Sequence, residues 1–145
     1  VVFRGGWCPF CNMQLEQLRQ VQEPLAKLGW QIVGVSADPA AKLAGSVKDN
    51  KLTYKLFSDE AAKATAALGL AFNAGIDAFG SQGKLDQWLA DRDPKLKGPA
   101  ILPVPAVYLV HRSGLVVYQY VNVDYSVRLS GEVLLTAARV YADEN

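Results

Sequence analysis

The chain's only two cysteines stand three residues apart in the run Trp7-Cys8-Pro9-Phe10-Cys11, at a point where an apolar stretch gives way to helical periodicity. Val1 to Phe3 is a short run with two β-branched residues, ended by Gly5-Gly6, and so predicts a strand feeding a tight loop. Beyond the cysteines, Leu15, Leu18, Val21, Leu25 and Leu28 recur at three- and four-residue steps, which predicts an amphipathic helix. Thiols at i and i+3 of a helix start share one side of the first turn and lie close enough to bridge. Cys8 falls at the helix mouth, where orphan N–H groups and the positive dipole end favour an anion. Such a position lowers a thiol pKa from about 8.5 into the range of about 3.5–7.5, and the thiolate is the form that attacks disulfides and peroxides. Pro9 suits the first helical position, where its missing donor costs nothing.

Two plainer accounts compete with a redox pair. Free cysteines often serve as small buried hydrophobes. A single Cys-x-x-Cys also supplies half of a four-ligand zinc site, and His111 is the only histidine. His111 sits at a strand end and reads as a turn residue rather than a catalytic base, so no metal is expected. Placement behind Trp7 at a strand-to-helix junction favours redox chemistry over both.

The rest of the chain alternates. Pro24 is expected to kink or restart the first helix, and Gly29 to close it. Trp30 to Val35 reads as a second strand, followed by the break Ser36-Ala37-Asp38-Pro39 and a weaker helix over about Ala40 to Asn50. Tyr54 to Phe57 predicts a third strand, and Ser58-Asp59-Glu60 the start of an Ala-rich helix ending near Gly69. From Leu70 to Leu102 glycines and prolines crowd the sequence, and only Leu85 to Asp91 has helical character. So long a connection is uncommon in a compact domain. Val104 to His111 and Leu115 to Val121 predict a hairpin, and Ser130 caps a final helix carrying Val133, Leu134, Ala137, Ala138 and Tyr141 on one face. The order implies an α/β fold, a mixed β-sheet flanked by helices, with an insertion at 70–102 before the hairpin.

At 145 residues this is one domain, spanning 1–145. Fifteen Lys and Arg against fourteen Asp and Glu leave a net charge of +1, so no electrostatic pull toward nucleic acid is expected. No apolar run approaches the roughly 18 residues of a membrane span. The chain opens on Val1-Val2-Phe3, inside what reads as a buried strand and without an initiator Met. We therefore expect a fragment truncated at its N-terminus, and the compartment expected is the cytoplasm.

The stretch Phe3-Arg4-Gly5-Gly6-Trp7-Cys8-Pro9-Phe10-Cys11-Asn12 resembles the signature of bacterial peroxiredoxin-like proteins of the alkyl hydroperoxide reductase/thiol-specific antioxidant family. The resemblance extends through Leu102-Pro103-Val104-Pro105-Ala106 and the segment Val123 to Leu129. It implies a thioredoxin-like fold, with Val1–Phe3 as a central strand. In that fold the proline facing the Cys-x-x-Cys is cis, and Pro105 is its match. Val104 and Pro105 would then present backbone polar groups to an extended substrate beside Cys8.

Departures from the family pattern accompany the resemblance. The usual peroxiredoxin arrangement is P-x-x-x-T/S-x-x-C with an arginine from a later strand. Laid in register, Arg4 replaces the proline, Cys8 the threonine, and Cys11 occupies the peroxidatic position. The later arginine falls at about Pro105, so the site is expected to lack it. The Pro9-Phe10 dipeptide resembles that of glutaredoxins, which implies a potential nearer about −200 to −230 mV than about −270 mV.

Two functions follow. The first is a thiol-dependent antioxidant oxidoreductase in which Cys8 attacks a peroxide or disulfide and Cys11 resolves the product, with Arg4, Trp7, Pro9, Val104 and Pro105 in support. No dinucleotide fingerprint is present and no cofactor is expected. Electrons must come from an external thiol of the thioredoxin or glutathione type. The second is a redox-inert binding module holding a partner through Phe72, Ile76, Phe79 and Trp88. Exposure separates them: a shallow Cys8 favours the enzyme, buried cysteines and an exposed apolar 70–102 the module.

Overall fold

The computed structural model describes residues 1–142. Its main sheet has five strands, β1 (Val2–Phe3), β2 (Val33–Ser36), β3 (Lys55–Ser58), β6 (Ala106–Val110) and β7 (Val116–Val121), in the order β3-β2-β1-β6-β7. Strand β1 is central, as predicted. It pairs in parallel with β2 through Val2↔Val35 and Phe3↔Ser36, and antiparallel with β6 through Val2↔Ala106. Crossovers through α1 (Pro9–Lys27) and α2 (Ala40–Asp49) make the first three strands parallel, whereas the hairpin adds β7 antiparallel. The result is the mixed sheet flanked by helices that the residue pattern predicts.

The amphipathic face of α1 does the anchoring. Leu15, Leu18 and Leu25 are buried with Phe3, Val107 and Leu109 in the main core. Each such side chain contributes on the order of 1.5–3 kcal/mol when taken from water. Helix α6 (Gly131–Val140) packs across α1, and the Trp30 indole N–H donates to the Ala138 carbonyl at 3.1 Å. Gly29, at φ 84°, ends α1, and the next amide, Trp30 N–H, reaches back to the Leu25 carbonyl. The Ser130 hydroxyl caps α6 by accepting from Val133 N–H.

Several expectations need correction. Helix α1 does not restart at Pro24 but continues past it to Lys27. The ring strips a partner from the carbonyl four residues back, at exposed Gln20, where water can replace it. The Ala-rich helix shrinks to α3 (Lys63–Ala67), because the Asp59 carboxylate caps the amides of Ala64 and Thr65 and so delays its start.

Residues 70–102 are far more regular than their glycines and prolines predict. Strands β4 (Ala71–Ala74) and β5 (Ala100–Pro103) pair antiparallel, and α4 (Ile76–Phe79) and α5 (Gln82–Asp91) lie between them. Ala37, Ala74, Phe79, Trp88, Ala100 and Leu102 form a second apolar cluster under this segment. Arg92 fastens the loop that follows α5 by donating to the carbonyls of Leu96, Gly98 and Pro99.

The Val104–Pro105 bond is trans, as are all the peptide bonds among the described residues. The chain passes here from β5 into β6 through Val104 and Pro105 alone. Val104 N–H donates to the Leu70 carbonyl at 2.8 Å, and the Pro105 carbonyl accepts from Asn122 N–H at 3.4 Å. Those groups are engaged within the chain rather than presented to a substrate.

Candidate active site

Gly5, Gly6 and Trp7 carry the chain from β1 to the mouth of α1. Cys8 is the N-cap, with extended backbone at φ −91° and ψ 115°, and Pro9 opens the helix behind it. Cys8 N–H bonds to the Gly5 carbonyl, and its own carbonyl accepts from the amides of Cys11 and Asn12, all at 3.1 Å. The Asn12 side chain donates back to the Gly6 carbonyl at 2.8 Å and closes the loop. A side chain at either glycine would force its neighbours to shift. A Cβ at Gly5 would fall 2.3 Å from the Trp7 indole nitrogen, and one at Gly6 would fall 2.1 Å from Ser46 Oγ.

Cys8 and Cys11 are free thiols 3.0 Å apart. Their environments push them in opposite directions. The Cys11 side chain donates to Cys8 and, with the Cys11 backbone amide and the charges of Arg4 and Arg128, overcomes the burial penalty. Together they lower the Cys8 pKa to about 6. Burial, the hydrogen bond to Cys8 and the proximity of its charge raise Cys11 well above the ordinary thiol range. The pair is thus a thiolate beside a protonated thiol.

Both cysteines are buried, Cys8 at 1 % and Cys11 at 0 % exposure. An exposed Cys8 was the expectation attached to an enzyme, and the structure corrects it. The cover comes from a guanidinium. Arg128 Nη2 lies 3.2 Å from Cys11 Sγ and 3.9 Å from Cys8 Sγ. Its Nη1 donates to Gln14 Oε1 at 3.0 Å and its Nε to the Tyr125 carbonyl at 2.6 Å, so the fork is held from both sides. Inert buried cysteines have raised pKa values, and Cys8 is lowered.

Arg4 supplies the second cation. It is 2 % exposed, its Nη2 donates to the Ala78 carbonyl, and its guanidinium lies 5.1 Å from the Trp7 ring centre and 4.1 Å from that of Tyr125. Among the described residues it has no carboxylate partner. Arg4, Phe72, Val104, Pro105, Val123 and Tyr125 line a cavity of about 230 Å³. Thus Arg4, Val104 and Pro105 come together, with Trp7 stacked against Arg4 and Pro9 fixing the helix start beside Cys8. A larger cavity of about 550 Å³ opens beside Gly6 and Trp7.

Sequence reasoning missed Arg128, Gln14, Tyr125 and Asp38. The site does have a second arginine, reached from the segment before α6 and not from the position of Pro105. His111 lies in the β6–β7 turn, where Nδ1 meets Ser113 Oγ at 2.7 Å. Of the apolar residues assigned to partner binding, Phe79 and Trp88 are buried whereas Phe72 and Ile76 are exposed. Among the described residues no three His, Cys, Asp or Glu side chains gather as a metal ion would require.

A family model described as the AhpC/TSA family matches residues 1–119. The chain belongs to that family. Membership makes it a peroxiredoxin-like thiol peroxidase. Solved structures agree in fold. The bacterioferritin comigratory protein of Xanthomonas campestris, described for its alkyl peroxide reduction activity, superposes with a TM-score of 0.72 at 14 % identity, over 97 % of this chain and 76 % of its own. BcpB of Mycobacterium tuberculosis gives 0.69 at 16 % identity, over 96 % and 77 %. Peroxiredoxin 6 of Arenicola marina gives 0.72 at 14 % identity, over 95 % of this chain and 57 % of its own. The fold they share with this chain is thioredoxin-like. No curated protein matches the chain in sequence.

Proposed function

We propose that Cys8 and Cys11 form a dithiol–disulfide couple that reduces a hydroperoxide. The Cys8 thiolate attacks the terminal peroxide oxygen, the O–O bond breaks, and the leaving alkoxide takes a proton to depart as alcohol. Cys8 becomes a sulfenic acid. The Cys11 thiol then condenses with it, releasing water and forming the Cys8–Cys11 disulfide. Two electrons from an external thiol of the thioredoxin or glutathione type restore both thiols by exchange.

The observation that carries this reading is the placement of two free thiols 3.0 Å apart at the mouth of α1 with the Arg128 guanidinium against both, an environment that lowers Cys8 to about 6. Arg4 and Arg128 place positive charge where the alkoxide develops, the kind of fixed stabilisation that accelerates such steps most. Trp7 and Tyr125 hold Arg4 by its faces, Pro9 sets the helix mouth, and Val104 and Pro105 form the apolar wall of the cavity at Arg4. Regeneration by a cellular thiol fits a reducing compartment such as the cytoplasm.

A redox-inert module draws support from the burial of both cysteines and the exposure of Phe72 and Ile76. It leaves the lowered Cys8 and its two guanidiniums without a purpose. Peroxide consumption and reduction of a protein disulfide, measured side by side on the wild type, Cys8→Ser and Cys11→Ser, decide among the readings. The peroxidase reading expects turnover of peroxide that Cys8→Ser abolishes. Equal, negligible rates in all three proteins would establish the module instead.

A further inference from the structure

We propose that Asp38 is a positioning residue for the redox loop, clamping Gly6 and Trp7 so that Cys8 is delivered to the mouth of α1. Asp38 lies in the bend between β2 and α2 and is 3 % exposed. Its Oδ2 accepts from Gly6 N–H at 2.7 Å. Its Oδ1 accepts from two indoles, Trp7 Nε1 at 3.2 Å and Trp88 Nε1 at 3.1 Å. One carboxylate thus joins the residues just before Cys8 to helix α5. Its own backbone is fixed as well, since Asp38 N–H donates to Ser36 Oγ at 3.1 Å and its carbonyl accepts from Ser58 Oγ at 2.7 Å.

The arrangement demands a carboxylate rather than any small polar group. All three partners are donors, and a carboxylate offers only acceptors. Asparagine has the same shape but must turn its NH₂ either toward the two indoles or toward the Gly6 amide, leaving donor facing donor in a buried place. The loop cannot absorb the misfit, because Gly5 already packs against this carboxylate: a Cβ there would fall 2.6 Å from Asp38 Oδ1. Displacement of Gly6 and Trp7 carries Cys8 away from Cys11 and Arg4, and a misplacement of about 1 Å is enough to cost large factors in rate.

The inference rests on Cys8 being the attacking thiol, and one experiment tests both. Alkylation of the reduced protein is followed against pH, with each cysteine's label mapped, in the wild type and Asp38→Asn. The wild type is expected to label Cys8 first, with a midpoint near 6. In Asp38→Asn the midpoint rises by roughly one pH unit, because the groups that stabilise the thiolate are misplaced. Peroxide turnover falls about tenfold or more. A carboxylate acting only through its charge gives the opposite sign, since removing a negative charge lowers a nearby thiol. An unchanged or lowered midpoint therefore overturns the positioning role while leaving Cys8 as nucleophile. First labelling of Cys11 in the wild type overturns both. If Asp38→Asn does not fold, Trp88→Phe removes one donor and keeps an aromatic side chain there. A smaller rise in the midpoint then supports the clamp, and an unchanged midpoint overturns it.

Discussion

Arg128 Nη2 stands 3.2 Å from Cys11 Sγ, although 117 positions separate the two residues in the chain. The same nitrogen is 3.9 Å from Cys8 Sγ, so one guanidinium spans both members of the couple. Its influence on Cys8 in the resting protein is the smallest of those that lower the thiol, after Cys11 and Arg4. Its main effect is expected later, when charge moves onto oxygen.

That ordering makes a prediction for Arg128→Gln. The Cys8 alkylation midpoint rises by less than about one pH unit, because the Cys11 hydrogen bond remains. Peroxide turnover falls by about 10²-fold or more, as removal of a transition-state donor does elsewhere. Arg128→Lys restores charge but not the fork that engages Gln14 and Tyr125, and recovers part of the rate. Parallel alkylation and peroxide assays check this. A rate loss no larger than the shift in thiolate fraction would remove Arg128 from the chemistry.

Opposed thiols also give stability a characteristic pH dependence. Cys8 is depressed in the folded state, so its contribution is complete above the unfolded thiol value of about 8.5 and is lost as pH falls toward 6. Cys11 is raised, so its contribution is present below about 8.5 and is lost as pH rises further. Reduced protein should therefore gain stability between pH 6 and 8 and lose it above about 8.5, with limiting slopes near 1.4 kcal/mol per pH unit. Urea unfolding of wild type against Cys8→Ser isolates the cysteine part, and identical slopes for the two proteins would contradict it.

Much of this architecture is visible in local sequence. Helix α1, its Cys8 cap, its stop at Gly29, the β6–β7 hairpin and the Ser130 cap follow from apolar spacing and capping chemistry, which act within a few residues. What was not legible depends on distant partners. The strands β4 and β5 pair across the intervening helices, and Gly75, Gly80, Pro94 and Pro99 disguised them as loop. Ser36-Ala37-Asp38-Pro39 signals a break, but nothing in it says that Asp38 meets two indoles. Arg128 has no spacing signal toward Cys11. The cis bond expected at Pro105 comes from the resemblance rather than from its neighbours, and the bond is trans.

Variants of the two thiols should separate their roles. Cys11→Ser leaves the Cys8 nucleophile without its resolver, so one equivalent of peroxide yields a persistent sulfenic acid on Cys8, and a disulfide substrate yields a trapped mixed disulfide. Cys8→Ser yields neither, because burial, the largest influence on Cys11, still opposes its ionisation once the Cys8 charge is gone. Mass spectrometry of the adducts checks both. A trapped adduct on Cys11 in Cys8→Ser would reverse the assignment and restore the peroxiredoxin register.

Gly131 links helix packing to the site. A Cβ there would lie 3.0 Å from the Gln17 carbonyl and 3.1 Å from the Val21 side chain, so α6 approaches α1 as closely as it does only without one. The Gln17 carbonyl belongs to the backbone of α1 and cannot swing away as a flexible side chain would. Gly131→Ala gains some helix propensity, but overpacking of about 1–3 kcal/mol outweighs it, and a net loss near 1 kcal/mol is expected in urea unfolding. Arg128 lies three residues before Gly131, and its bond to Gln14 depends on where the start of α6 meets α1. The substitution should therefore slow peroxide turnover as well as destabilise, whereas Val140→Ala, at an exposed position near the far end of α6, should leave turnover unchanged. Turnover retained by Gly131→Ala at wild-type level would show that Arg128 holds its place over the cysteines independently of the α1–α6 contact.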